Sequence, residues 1–238
     1  VSLLIEAEHL TRILPATVPV TLVRDVSLTV GEREFIAITG PSGSGKSSLL
    51  YLLGLLDRPT SGTMRVAEQD TSLLNDDALA RLRLGTLGFV FQFHFLLPEF
   101  SVLQNVKLPM RKAGRLSSTA MRECAASLLE ELGLAGHLDK RPDQLSGGQR
   151  QRVAVARALA NDPHVVLADE PTGSLDSKSS EQVFQILHDL VKKRGKTVIA
   201  VTHDMDIADR VDRRIHLVDG AVVSDERVAQ AAVQIKPV

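Results

Sequence analysis

A chain of 238 residues with 44% hydrophobic content is long enough for one large domain or two modest ones, and it carries enough apolar mass for a real core. Lys and Arg number 28 against 29 Asp and Glu, so the formal charge is -1 and no global basic field points to nucleic acid. A single cysteine excludes an intramolecular disulfide framework and fits a reducing compartment.

The chain opens with strand-like runs. "LLIEAEHL" and "TLVRDVSLTV" are short and rich in branched apolar residues, and "GEREFIAITG" leads straight into a glycine loop. "KSSLLYLLGLLD" is apolar nearly all round and predicts a helix buried on most sides. "NDDALARLRLG" opens with capping residues and predicts a helix, with a strand at "GFVFQF" after it. From about Phe93 to Asp143 strand-like runs are absent, and "STAMRECAASLLEELGL" sets Ala125, Leu128, Leu129 and Leu132 at helical spacing. This stretch reads as a helical subdomain inserted into an α/β core. Cys124 lies within it, near the apolar face, and reads as structural rather than reactive.

Beyond it βα alternation resumes. "HVVLADE" is a buried strand, and "SEQVFQILHDLVKKRG" is a helix with Val183, Ile186, Leu187, Leu190 and Val191 on one face. "KTVIAVTH" is the next strand, and "RIHLVDGAVVS" resembles a hairpin turning at Asp219-Gly220. Such alternation implies a mostly parallel sheet covered on both faces. No run approaches the roughly 18 apolar residues that span a bilayer. The start, "VSLLIEAEHL", lacks a basic n-region, so no signal peptide is expected. The expectation is a cytoplasmic protein that reaches a membrane only through a partner.

Gly40-x4-Gly45-Lys46-Ser47, between a strand and a helix, satisfies the P-loop pattern. The loop Gly40, Pro41, Ser42, Gly43, Ser44, Gly45 can wrap phosphates with the backbone amides that its glycines let turn inward, Pro41 contributing no N–H, and Lys46 supplies charge to the β and γ groups. Ser47, followed by Ser48, opens the helix, and its hydroxyl can ligate Mg²⁺. "VVLADEP" sets Asp169 and Glu170 at the exit of a buried strand. There Asp169 can deliver a carboxylate to the metal shell, and Glu170 can orient or activate a water for attack on the γ-phosphate. His203 ends another apolar strand and could hydrogen-bond the γ-phosphate and hold that water. Gln92 is a polar residue inside a hydrophobic run. Its chemistry leaves open a buried structural amide and a contact to Mg²⁺ or water. A second glycine-bearing helix start, "QLSGGQRQRVAVARAL" from Gln144, also suits an anion yet has no lysine of its own.

In order, "GPSGSGKS", Gln92, "LSGGQ", "VVLADE", "GSLD" and "VTHD" resemble the motif series of the ATP-binding cassette (ABC) ATPases, over nearly the whole chain. The resemblance implies a P-loop NTPase α/β fold: a mostly parallel core with an antiparallel β subdomain and an inserted α-helical subdomain. Residues 1–92 would hold the β subdomain and P-loop core, 93–143 the helical subdomain, 144–224 the rest of the core and 225–238 a tail. ATP and Mg²⁺ are the implied cofactors, with Ser47, Gln92 and Asp169 around the metal and Lys46, Glu170 and His203 serving hydrolysis. Gln92 looks like the family's Q-loop residue, Asp176 like its D-loop acid and His203 like its switch histidine.

In this family two such domains face each other head to tail. Ser146, Gly147, Gly148 and Gln149 would then cap the nucleotide of a second copy, which already has a Lys46; that accounts for the missing lysine. Integral membrane transporter subunits are the further implied partners, which would hold the protein at the inner face of the cell membrane. One position departs: where the family usually stacks an aromatic on adenine, this chain offers Ile13 or Leu14. "GFVFQFHFLLPEFSVLQNVKLPM" and "ADEPTGSLD" look most like the group of the lipoprotein-releasing ATPase LolD and the macrolide-exporter ATPase MacB, with "QFHFLLPEF" leaning toward the former. A repair or translation ABC protein and a regulatory or scaffold module are the competing readings. The absence of sustained heptads between the P-loop and LSGGQ and the single cassette weigh against the first, and intact Glu170 and His203 against the second.

Overall fold

The structure is a computed structural model and describes residues 3–228. Its strands are β1 (Leu3–Leu14), β2 (Val20–Gly31), β3 (Phe35–Thr39), β4 (Ser61–Val66), β5 (Gln69–Asp70), β6 (Leu87–Phe91), β7 (Val165–Asp169), β8 (Thr197–Val201), β9 (Arg213–Val218) and β10 (Ala221–Arg227). Its helices are α1 (Lys46–Leu53), α2 (Asp76–Thr86), α3 (Val102–Ala113), α4 (Ser118–Glu131), α5 (Gly147–Leu159), α6 (Ser177–Lys192) and α7 (Met205–Ala208).

Strand composition sorts the strands into two sheets. β3, β7 and β8 are buried on both faces, as unbroken branched apolar runs demand, and they sit inside a sheet ordered β10-β9-β3-β8-β7-β6. All pairings there are parallel except the β9–β10 hairpin, whose turn residues Asp219 and Gly220 have φ of 49° and 80°. The second sheet, β2-β1-β4-β5, is antiparallel.

The period-two alternation of β3 divides the core. Ile36 and Ile38 face one apolar cluster and Phe35 and Ala37 the other. In the first cluster α1 lies between the two sheets and buries Leu49, Leu50, Leu52 and Leu53. On the second, α5 and α6 cover the parallel sheet, α6 with Val183, Phe184, Leu187, Leu190 and Val191. Phe184 thus joins the buried set, and Ile186, expected there, is only half-buried at its edge. A third cluster, around Val102, Val106, Met110, Ala125 and Leu129, gathers α3 and α4 against one side of α5. Among the described residues no helix is long and apolar enough to cross a membrane.

Three particulars differ from the sequence reading. β4 and β5 were not anticipated; in β4 only Met64 and Val66 are buried, pairing with Ala7 and Ile5 of β1, too short an alternation to stand out. Cys124 is exposed, not packed on the apolar face of α4. That helix buries Ala125 and Leu129, and a residue one step earlier is turned about 100° away. β10 also runs to Arg227, taking the first residues of the expected tail into the sheet; 229–238 lie outside the described residues.

The link from β6 into α3 is pinned by Asn105, which is fully buried. Its Nδ2 donates to the carbonyls of Leu97, Phe100 and Ser101 at 3.1–3.2 Å, and its Oδ1 accepts from Leu97 N at 2.8 Å. Asn105→Ala leaves those groups without partners, so it should cost about 2 kcal/mol. A chain of this size would then melt about 4–8 °C lower by calorimetry. An unchanged melting temperature would mean the loop holds itself.

Candidate active site

Four adjacent parallel strands, β3, β8, β7 and β6, end at one edge of the sheet. Ligands of open α/β sheets collect at the carboxyl ends of the strands. β3 leads into Gly40, β8 toward His203, β7 into Asp169 and Glu170, and β6 into Gln92. Topology alone therefore gathers residues that lie as much as 163 positions apart, 40 to 203, along one edge.

The loop from Gly40 to Ser48 is held from outside. A Cβ on Gly40 would lie 2.1 Å from Leu217 O of β9, and one on Gly45 2.0 Å from Leu22 O of β2, so no larger residue fits either place. Gly220 in the β9–β10 turn donates its N–H to Ser44 O at 3.0 Å and accepts from Arg24 N at 2.8 Å. Pro41, Ser42 and Gly43 stay exposed at the mouth. The Lys46 ammonium donates to Gly40 O and Pro41 O at 2.9 and 2.8 Å and has no ion pair among the described residues. Ser44 Oγ is buried with no hydrogen-bond partner among the described residues. An unneutralised ammonium and an orphaned hydroxyl at the N-terminus of α1 form a cradle suited to a polyphosphate.

Asp169 is gripped by that same helix. Ser47 Oγ donates to Oδ1 at 2.8 Å and the Tyr51 hydroxyl to Oδ2 at 2.7 Å. Burial first, then the hydrogen bond to Asp169 and the charge of that carboxylate, push the Tyr51 phenol up to about 12, so it remains a protonated donor. A hydroxyl and a carboxylate side by side at a phosphate cradle suit Mg²⁺, a hard cation that takes the rest of its shell from phosphate and water.

At Glu170 the backbone turns into the left-handed region, φ 48°, and its N–H is anchored to Val201 O at 3.0 Å. For a residue with a Cβ this conformation costs about 1 kcal/mol or more and persists where the surroundings impose it. Its Oε2 lies 2.8 Å from His203 Nδ1; the carboxylate is largely buried and the imidazole largely exposed. Carboxylate and imidazole thus arrive as a pair.

Gln92 sits differently. Among the described residues it makes no hydrogen bond to Ser47 or Asp169. Its amide lies against Gly173, where an added Cβ would meet Nε2 at 3.0 Å, and its carbonyl accepts from Ser174 Oγ at 3.3 Å. Asp176 caps α6, accepting from Ser179 N at 2.9 Å and Ser179 Oγ at 2.8 Å, and these bonds hold its carboxyl below the usual range.

The second glycine-bearing helix start is also formed. Ser146 caps α5 through a reciprocal pair with Gln149, each side chain bonding the other's backbone N–H, so Gln149 is turned inward rather than offered to a ligand. Gly148 is required by packing, since a Cβ would come within 2.6 Å of Ser179 Oγ of α6. Gly147 is not: its nearest neighbour would be Leu175 Cδ2 at 3.5 Å. Among the described residues no hydrogen bond joins this turn to the loop from Gly40 to Ser48.

Sequence reasoning missed Tyr51, Gln151, His94 and Arg157. Gln151, fully buried in α5, donates to Pro171 O at 2.7 Å and braces the segment after Glu170. His94, two residues past Gln92, donates Nε2–H to Gly147 O at 3.1 Å, and burial pushes its imidazole below the ordinary histidine range. Arg157 of α5 donates to His94 O and Phe95 O at 2.5 and 2.6 Å. These bonds tie the segment after Gln92 to α5 inside one chain. Beside it, a groove of about 450 Å³ between α2, β6, α3 and α5 is lined by Arg81, Phe89, Phe91, Pro109 and Lys112.

The comparisons with known proteins agree with this geometry. Residues 23–173 match the model of the ABC transporter family. The lipoprotein-releasing system ATP-binding protein LolD of Anaeromyxobacter dehalogenans is 54% identical over 89% of this chain and 87% of its own length. The macrolide export ATP-binding/permease protein MacB of Shewanella sp. is 49% identical over 89% of this chain, which spans 32% of that longer protein. Among solved structures, the dimeric post-hydrolysis state of the ATP-binding cassette MJ0796 bound to ADP and Pi superposes with a TM-score of 0.88. It is 40% identical to this chain, with 95% of this chain and 100% of that one covered. On this family match and these identities, the chain belongs to the ABC transporter family, as an ATP-binding, ATP-hydrolysing cassette of a transporter.

Proposed function

We propose that two copies of this chain close head to tail over two ATP molecules and that the closing and reopening drive a membrane subunit. The observation that carries this is the pair of helix starts on one chain. The loop at Lys46 has a cation with no counter-ion among the described residues, while the turn at Ser146 has a glycine, Gly147, that the packing of those residues does not require. A second copy's Ser146 hydroxyl, its Gly147 amide and the helix terminus then complete the γ-phosphate shell begun by Lys46. The solved structure of MJ0796 with ADP and Pi bound is dimeric.

Ser47 and Asp169 would hold Mg²⁺, with Gln92 joining them if its side chain leaves Gly173, and the ion would supply charge neutralisation at the phosphate oxygens. Glu170 orients the attacking water and takes its proton, and His203 keeps the carboxylate aimed while reaching the γ-phosphate. Asp176, exposed at the start of α6, reports across the dimer. The membrane subunit seats in the groove next to Phe91, where movement of the Gln92 segment is felt directly. Tyr51 is engaged with Asp169, so adenine rests on aliphatic surface near Leu14 instead. The chain works at the cytoplasmic face of the membrane, and its cargo is exported or is a lipoprotein to be released, as the names of the LolD and MacB relatives suggest.

Dilution tests the arrangement. ATP hydrolysis per molecule should fall as the protein is diluted through its dimerisation range. Ser146→Ala and Lys46→Ala copies, each weak alone, should together exceed the sum of their separate rates, because mixing recreates one intact composite site. A rate per molecule independent of dilution, with strictly additive mixtures, would rule the dimer out.

A further inference from the structure

Ser47 and Tyr51 stand four residues apart on one face of α1, and between them they occupy both oxygens of Asp169. The rest of the helix is committed to the core, with Leu49, Leu50, Leu52 and Leu53 buried. Tyr51 is half-buried. Its ring meets Phe91 edge-on, with centroids 6.5 Å apart, and Phe91 immediately precedes Gln92. The phenol is therefore fixed by packing on one side and by a carboxylate on the other.

The two donors have different duties. Ser47 must share its oxygen with the incoming cation, while the only hydrogen bond of the Tyr51 hydroxyl among the described residues goes to Asp169. A carboxylate held at one oxygen alone can swing about its Cβ–Cγ bond. Held at both, it presents a fixed edge beside Ser47. Partners of this kind, which touch the ligating residue rather than the metal, govern how tightly a cation is bound.

We infer that Tyr51 is a positioning residue for the metal step: through Oδ2 it locks Asp169 in the orientation that receives the divalent cation arriving with ATP. The inference rests on the reading of Ser47 and Asp169 as the cation's neighbours. It gives the sole tyrosine of the chain a task away from the nucleotide base.

The test is Tyr51→Phe, which keeps the ring and its contact with Phe91 and removes one oxygen. In a Glu170→Gln background, which binds without turning over, the Mg²⁺ concentration giving half of the ATP-dependent thermal stabilisation should rise about tenfold. In the otherwise native chain, the Mg²⁺ concentration for half-maximal hydrolysis should rise by a similar factor, and kcat at saturating Mg²⁺ should fall by less. Asp169→Asn serves as the reference. If Asp169→Asn raises the Mg²⁺ requirement and Tyr51→Phe does not, the inference is overturned and the metal site stands. If neither variant raises it, the metal site itself is misassigned and the inference falls with it. A lowered melting temperature in Tyr51→Phe without nucleotide, with the Mg²⁺ requirement unchanged, would assign Tyr51 to packing alone and also overturn it.

With one tyrosine and no tryptophan, the intrinsic emission of the chain reports Tyr51 alone. Asp169→Ala should raise that emission by removing the quenching carboxylate, and emission unaffected by Asp169→Ala would contradict the contact on which the inference stands.

Discussion

Glu170→Gln should bind ATP and accumulate as a closed dimer, with turnover reduced about a thousandfold. The substitution is nearly isosteric and keeps a polar group beside His203 Nδ1, so the strand exit and its left-handed backbone have no cause to change. What disappears is the group that accepts the proton of the attacking water, and with it a negative charge close to the γ-phosphate. Loss of the base stops the step that reopens the dimer, and loss of the charge strengthens the closed state. Light scattering behind a sizing column, with and without ATP, reads the outcome directly. A variant that stays monomeric at saturating ATP would remove the sandwich from the mechanism.

Lys46→Ala should cut ATP affinity about 10–100-fold, since a hydrogen bond between charged groups contributes about 1.5–3 kcal/mol. In the free protein the ammonium is bound to Gly40 O and Pro41 O at the mouth of the loop, both within reach of water once the side chain is gone. The clamp on the loop comes from Leu22, Leu217 and Gly220 and does not involve Lys46, so the fold is preserved. Titration calorimetry with ATP at constant Mg²⁺ measures the loss. Affinity equal to the native value would separate the lysine from phosphate binding.

Much of this could be read from the chain because the informative signals are local. A strand followed by Gly40-x4-Gly45-Lys46-Ser47, an apolar run ending in Asp169-Glu170, and Asp219-Gly220 between two strands each fix their own geometry within a few residues. What escaped depends on contacts across the fold. Tyr51 looked like one more member of an apolar helix, and only the approach of β7 to α1 reveals that its hydroxyl faces Asp169. Asn105 and Gln151 are polar residues in helices, unremarkable until their burial and carbonyl partners are seen. Cys124 shows the limit of helical spacing: one position decides between core and solvent, and the apolar stripe of α4 was read one residue too wide. The inward turn of Gln149 follows from its place three residues after Ser146, a pattern present in the sequence but read as a ligand contact.

The clamp on the phosphate cradle has a consequence for the order in which this protein comes into being. Gly40 and Gly45 precede in the chain, by most of the described sequence, Leu217 and Gly220, which press on the cradle and hydrogen-bond it. A growing polypeptide emerging from the ribosome carries every residue of the loop long before it carries the hairpin that shapes it. The shaped cradle therefore has to wait for the hairpin, however early its own residues are made.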